Sequence, residues 1–104
     1  YDPWLRHMGP ACSPFNAWVV LKGLETMQLR VEAQSRNAAR LADTVAAHPA
    51  VAAVRYPHRK DHPHYEIHKK QMKSGGTLLA MSLKGGQAEA FRFLNGLKIA
   101  DICN

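Results

Sequence analysis

Cysteine is scarce in this sequence, and the two cysteines, Cys12 and Cys103, lie near opposite ends of the 104-residue chain. Two are too few for the disulfide framework of a small secreted domain, and their spacing is not that of a metal site. No apolar run approaches the ~20 residues needed to cross a bilayer, and the first residues show no signal-peptide pattern. We therefore expect a soluble, cytoplasmic protein without a membrane partner.

Acidic residues are also few. The sequence has 8 Asp and Glu residues and 14 Lys and Arg residues, which gives a formal net charge of +6. A basic balance of this kind invites a nucleic-acid role. The densest basic stretch, residues 55–73, is interrupted by Asp61 and Glu66 and contains only two aromatic residues, Tyr56 and Tyr65. We interpret it as a solvated basic face and expect no nucleic-acid partner.

Length sets a further limit, because a chain of this size can bury about two-thirds of its unfolded surface. That is enough for a modest core but excludes a complete two-domain enzyme. Residue 1 is Tyr rather than Met, and residues 99–102 alternate as a strand does before it ends. We expect the sequence to be a piece of a longer polypeptide.

The first half of the chain has a helical pattern. Ser13 followed by Pro14 predicts a helix start, because the Ser side chain accepts from the first turn and Pro at the first helical position loses no bond. The pattern leaves open one kinked helix or two, with Gly23 as the joint and residues 48–49 as the end. A stripe of apolar residues recurs at helical spacing, namely Leu24, Met27, Val31, Ala38, Leu41 and Val45.

The second half alternates between short strands and short helices. We predict strands over 51–56, 77–83 and 98–103, and helices over 64–72 and 87–97. The fold class is therefore α/β, with one or two helices followed by a small helix-backed sheet. We expect the apolar stripe to be buried against the first two strands, with Phe91 and Leu94 on the same side.

Four histidines within eleven residues, His58, His62, His64 and His68, are the first candidates for chemistry. His64 and His68 would share a helix face as zinc ligands do, but the prolines around them are typical of an exposed loop and no cysteine is near. We expect no metal site. Cys12 precedes a helix start that could lower its pKa, but burial as a small apolar residue is the favoured interpretation.

From the residues alone, no catalytic constellation, acid–base pair or phosphate cradle emerges. The expectation that rests on physics alone is a soluble α/β segment used in packing and assembly. A free-standing, non-catalytic α/β interaction module therefore remains an open alternative.

Short sequence motifs are more informative about function than the hydrophobic periodicity. GPACSPFNAW at 9–18 and LKGLET at 21–26 resemble the pyridoxal-phosphate (PLP)-dependent enzymes of cysteine and methionine metabolism. The resemblance continues in order through HPAV at 48–51, YP at 56–57, HP at 62–63 and FRFLN at 91–95. It covers nearly the whole chain. Within the family, the SGGTL and AFRFLNGLKIADICN phrases most resemble the O-succinylhomoserine sulfhydrylase branch.

This resemblance implies a fold-type I PLP-dependent transferase, of which the chain is an internal or C-terminal part. Residues 1–13 would end the connection from the cofactor domain, 14–48 would form inter-domain helices, and 49–104 would begin the C-terminal domain. The parent would be a cytoplasmic homotetramer that replaces the succinyl group of a homoserine ester with sulfide. A cystathionine γ-synthase or γ-lyase remains an alternative parent.

The resemblance also implies what this stretch lacks. The family's Schiff-base lysine and its phosphate-binding residues lie upstream of the matching stretch, and its substrate-binding Arg lies downstream. We therefore assign no catalytic, cofactor-binding or metal-binding residue to positions 1–104. Lys22, Lys69 and Lys98 in particular are not expected to form an imine, and the 104-residue segment alone is expected to be inactive.

Overall fold

A computed structural model describes residues 3, 7, 9 and 11–100 of the chain. The chain divides into two compact units, Tyr1–Glu32 and Ala33–Asn104. The elements in chain order are α1 (Pro14–Glu25), α2 (Met27–Ala46), β1 (Val51–Arg55), α3 (Tyr65–Gln71), β2 (Ala80–Leu83) and α4 (Gln87–Asn95). The predicted α/β class is confirmed. Over the described residues, no helix has the length and apolar character needed to cross a membrane.

The start of α1 forms as the sequence predicts, and its end does not. The backbone N–H of Asn16 donates to Ser13 Oγ at 3.1 Å, and Pro14 occupies the first turn. The helix then continues through Gly23 and ends at Glu25, so the predicted joint at Gly23 is wrong. Glycine tolerates helical backbone, although it is a weaker helix former than alanine.

The break between α1 and α2 is supported by Arg30. Its Nη2 donates to the Gly23 carbonyl at 2.8 Å, and its Nε donates to Thr26 Oγ1 at 3.2 Å. The last carbonyls of a helix lack partners within the helix, and a guanidinium can supply one. The chain therefore forms two helices that meet at Thr26 rather than one helix kinked at Gly23.

The sheet consists of β1 and β2, which pair antiparallel in the described part of the chain. The register places Val54 opposite Met81 and Arg55 opposite Ala80, and it shifts between Val51 and Ala53. The strand predicted over 77–83 is shorter, at Ala80–Leu83, and alternates between exposed and half-buried residues rather than being fully buried. One face of a two-stranded sheet is enough for a core this small.

Two predicted helices have shifted bounds, and one predicted strand is not seen where the chain is described. The helix predicted over 64–72 spans Tyr65–Gln71, and the helix predicted over 87–97 ends at Asn95 because Gly96 caps it. The strand predicted over 98–103 is not seen in residues 98–100, and residues 101–103 lie outside the described part.

The core of the second unit is made from small residues around one large one. Ala38 and Ala42 of α2 pack with Tyr56, which is only 2% exposed, and Ser35 is buried on the same helix face. Val54 and Leu79 border this cluster. The aromatic ring of Tyr56 fills the space that large aliphatic residues were expected to fill.

The predicted apolar stripe is therefore largely wrong. Ala38 is buried and Val45 half-buried, but the larger members lie exposed, namely Leu24, Met27, Val31 and Leu41. Phe91 and Leu94 are also exposed, which contradicts their predicted burial. The physical reason on α2 is angular: Leu41 lies about 100° around the helix from Ala42, which contacts the core.

We predict that Ala42→Leu destabilises the fold more than Leu41→Ala. Ala42 is 0% exposed, whereas Leu41 is 52% exposed. Overpacking at Ala42 should lower the free energy of unfolding by ~1–3 kcal/mol. Truncating the half-exposed Leu41 should lower it by about 1 kcal/mol or less. Urea denaturation midpoints of the two variants check this, and a larger loss for Leu41→Ala would show that the buried face of α2 is misassigned.

Candidate functional site

The best-defined polar site in the described part of the chain is built on the Tyr56 hydroxyl. Tyr56 follows β1 directly, and Pro57 ends the extended segment there. Its Oη lies 3.2 Å from the carbonyl oxygen of Ser35 in α2 and 3.0 Å from that of Gly76. The phenol O–H is thus shared between a helix and a turn that are far apart in sequence.

Gly75 makes this close approach possible. A Cβ at this position would lie 2.7 Å from the Tyr56 Oη and closer still to Cζ and Cε1 of the ring. Gly76, the next residue, has a φ of +81°, which L side chains rarely adopt. The glycine pair of the SGGTL segment therefore makes room for the Tyr56 ring.

Arg59 forms the second polar cluster. Its Nη1 donates to Asp43 at 2.6 Å, and its Nε and Nη2 donate to the two carboxylate oxygens of Asp61 at 3.0 and 3.1 Å. Nη1 also lies 3.4 Å from the carbonyl oxygen of Ala42. The Arg59 side chain is only 19% exposed, so it fastens the loop after β1 to α2.

These bonds set the charge state of the pair. The hydrogen bonds from Arg59 hold the pKa of the Asp61 carboxyl below its usual range. The same bonds to Asp61, followed by the charges of both aspartates, raise the pKa of Arg59. A carboxyl group whose pKa is lowered by folding stabilises the fold at pH values above the ordinary pKa of that group. This contribution to stability is lost as the pH falls through the lowered pKa.

Three of the four clustered histidines come together in the same region. The ring centroids of His62 and His68 are 4.6 Å apart, and His64 lies 6.0 Å from His62 and 6.3 Å from His68. Among the described residues, His58 forms no such ring pair with the other three histidines, and its Nε2 is buried without a hydrogen-bond partner. The sequence therefore identified a real cluster, although not one of four members.

The hydrogen bond that His62 accepts opposes binding of a metal at its other ring nitrogen. His62 Nδ1 accepts from the backbone N–H of His64 at 3.1 Å, so in the neutral ring Nε2 carries the proton. A metal at that Nε2 would require the opposite tautomer. Among the described residues, no group of three His, Cys, Asp or Glu side chains is arranged to hold a metal ion.

Basic residues at the C-terminal end of α3 line an open depression of about 430 Å³. Its lining comprises His58, Lys69, Lys70, Gln71, Met72 and Lys73. Lys69 and Lys70 lie in the last turn of α3, where positive charge is favourable beside the helix carbonyls. Lys69 also lies 5.8 Å from the ring centroid of Tyr65. This basic face has a structural reason that requires no anion.

The surroundings of the lysines give no support for a PLP site within this stretch. A Schiff-base lysine needs a cleft beside phosphate donors, yet all seven lysines of the chain are exposed. Lys22 is paired with Glu25 at 2.9 Å, and both side chains are half exposed. No mechanistic step of the cofactor is therefore assigned to these residues.

The remaining candidates are surface groups in the first unit. Cys12 is exposed, which makes the expectation of its burial wrong, and its Sγ lies 3.6 Å from the Ser13 carbonyl. Phe15 and Trp18 are exposed and their rings lie 6.1 Å apart. Cys103 lies outside the described residues.

Comparisons with known proteins place this chain among sulfur-metabolism enzymes. A family model described as Cys/Met metabolism PLP-dependent enzyme matches residues 2–104. The chain is 43% identical over 104 residues to an O-succinylhomoserine sulfhydrylase of Mycobacterium tuberculosis, covering 96% of this chain and 26% of that protein. It is 44% identical over 96 residues to an O-acetyl-L-homoserine sulfhydrylase of Thermus thermophilus, covering 91% and 23%.

A solved structure agrees with these relatives. The crystal structure of cystathionine γ-synthase from Xanthomonas oryzae pv. oryzae matches with a TM-score of 0.87 and 30% identity, covering 97% of this chain and 26% of that one. The chain spans about a quarter of the length of the relatives it matches.

Tyr56 and Arg59 were not identified from the sequence as organising residues, although the YP pair at 56–57 was part of the recognised pattern.

Removing the Tyr56 hydroxyl or filling Gly75 should destabilise the second unit. Tyr56→Phe should lower the free energy of unfolding by about 1–2 kcal/mol, because the Gly76 carbonyl loses its hydrogen-bond donor. Gly75→Ala should cost ~1–3 kcal/mol because its methyl overlaps the ring. Gly23→Ala is the matched control, since nothing lies within 4 Å of a Cβ there. Chemical denaturation measures all three, and equal effects of the two alanine variants would contradict the packing.

Arg59→Ala should lower the free energy of unfolding by about 1–2 kcal/mol, because a half-buried guanidinium with two carboxylate partners is removed. Lys60→Ala, at the neighbouring exposed position, should change it by less than about 0.5 kcal/mol. Stability measured from pH 7 downward should fall as Asp61 takes up its proton, and less steeply in Arg59→Ala. Superimposable pH profiles of the wild type and Arg59→Ala would contradict the assigned ion pair.

Proposed function

This chain belongs to the Cys/Met metabolism family of PLP-dependent enzymes, and from that membership we propose that it is part of an O-succinylhomoserine sulfhydrylase. The observation that carries the proposal is 43% identity to such an enzyme over 96% of this chain. The reaction would be a γ-replacement, in which sulfide displaces succinate from the substrate and homocysteine forms. PLP is the cofactor named in the family description.

Within the parent, we assign this stretch a scaffolding role. Residues 1–13 end the connection from the cofactor domain, residues 14–48 form inter-domain helices, and residues 49–104 begin the C-terminal domain. The exposed lysines and the lack of a convergent acid–base pair among the described residues support the assignment of no catalytic or cofactor-contact residue here. The chemistry would then be carried by parts of the polypeptide outside this stretch.

This proposal explains why apolar side chains of α1 are exposed in the chain by itself. Phe15, Trp18 and Leu21 are more than half exposed in the chain by itself. Large contiguous apolar surface on a protein marks a place where another surface packs. In a polypeptide about four times this length, the rest of the parent would cover them. A cytoplasmic homotetramer is the assembly that we propose for the parent.

The parent reaction is tested by expressing the complete polypeptide that contains this chain. We expect homocysteine from O-succinylhomoserine and sulfide, at a higher kcat/KM than from O-acetylhomoserine. A preference for the acetyl ester would move the assignment to the sulfhydrylase represented by the Thermus relative. Cystathionine formed from cysteine in preference to sulfide would support a cystathionine γ-synthase instead and would contradict the proposal.

The 104-residue chain alone should bind no PLP at a defined site. Titration with the cofactor followed by borohydride reduction should give slow, scattered labelling, because all seven lysines are exposed. Peptide mapping of the reduced product provides the readout. A stoichiometric imine at one lysine, abolished by replacing that lysine with Arg, would contradict the scaffolding assignment.

A further inference from the structure

The histidine cluster has a property that the proposed enzyme reaction does not use. His62 lies in the loop between β1 and α3, His64 immediately precedes α3, and His68 lies within α3. The His62 and His68 rings approach to 4.6 Å between centroids. Both side chains are half-buried. Three groups that can each gain a positive charge are therefore held against one another.

Each of the two closest rings has a fixed hydrogen bond. His68 Nδ1 lies 3.1 Å from the carbonyl oxygen of Pro57, which only accepts, so Nδ1 carries a proton and Nε2 is left as the basic atom. A proton can enter at His68 Nε2 without breaking this bond. His62 differs, because its Nδ1 accepts from the His64 N–H. Protonating His62 at Nδ1 breaks that bond and places two donors face to face.

The charged groups around His62 act mainly in one direction. Arg55, at the end of β1, and His64 and His68, just before and within α3, are the groups whose positive charge opposes the protonation of His62. Asp61, in the same loop, is the opposing charge, but both of its carboxylate oxygens accept from Arg59. Desolvation is the largest cause that lowers the pKa of His62, and repulsion from His68 is the next.

We propose that His62, His64 and His68 form a proton-sensitive contact, which holds the 57–64 loop on α3 at neutral pH and releases it when the cluster is protonated. A histidine whose pKa is lowered by folding binds a proton more readily when its surroundings open. Acid therefore favours the open loop as the pH falls through 6.5, the ordinary value for this group.

The test follows the ring resonances of all six histidines by NMR as the pH of the chain is lowered. His48 is an internal reference, because its Nδ1 accepts from the Ala50 N–H at 3.2 Å, as His62 accepts from His64. We expect His68→Gln to shift the midpoint of His62 upward, since a neighbouring positive charge is removed, and to leave the His48 curve unchanged. Amide protection in residues 57–64 should fall with the protonation of the cluster.

A second variant separates charge from structure. His64→Gln removes one imidazole but leaves both the backbone N–H that His62 accepts and the His68 bond to Pro57. It should also shift the His62 midpoint upward, by less than His68→Gln because its ring is farther away. Six histidines that titrate together, or a His62 midpoint unchanged in both variants, would overturn the proposal.

Discussion

The position of the Tyr56 phenol is the constraint on which the second unit depends. Its hydroxyl joins carbonyl oxygens 21 residues earlier and 20 residues later in the chain, at Ser35 and Gly76. One O–H therefore links α2, the end of β1 and the turn before β2. The neighbouring residues adapt to the ring, because Ala38 and Ala42 leave room on the helix and Gly75 leaves room in the turn. A Cβ at Gly75 would overlap the ring, and Ala38 and Ala42 are buried beside it, so all three positions favour small residues.

This dependence explains which parts of the fold the sequence could predict. The start of α1 depends on Ser13 and Pro14, which act within one turn, and it was predicted correctly. The buried face of α2 depends instead on Tyr56, ten residues after the end of the helix. A hydrophobic pattern favours large residues such as Leu41 for the core, whereas the ring selects alanines. The position of the joint at Thr26 likewise depends on hydrogen bonds of the Arg30 side chain, which helix propensities do not take into account.

The functional inference had a different origin from the fold. Charges, cysteines and histidines gave no catalytic arrangement, and all seven lysines of the chain are exposed. Family membership follows from sequence words that cover most of the chain, such as GPACSPFNAW and LKGLET, and from the match over residues 2–104. Tyr56, Gly75 and Arg59 acquire a physical role only once the structure is known. Their contacts hold a scaffold in shape, which is the part that we propose this stretch plays in a sulfhydrylase.

The account is tested most directly by the ionisation of Tyr56. The chain has three tyrosines, and burial raises the pKa of the Tyr56 phenol above its ordinary value of 10.0. Tyrosinate absorbance should therefore show one group that titrates later than the others, with unfolding as it ionises, because stability from a raised pKa is lost as the pH increases. Tyr56→Phe should remove that late step. Three tyrosines titrating together near pH 10, with Tyr56→Phe merely reducing the amplitude, would contradict the central role of this residue.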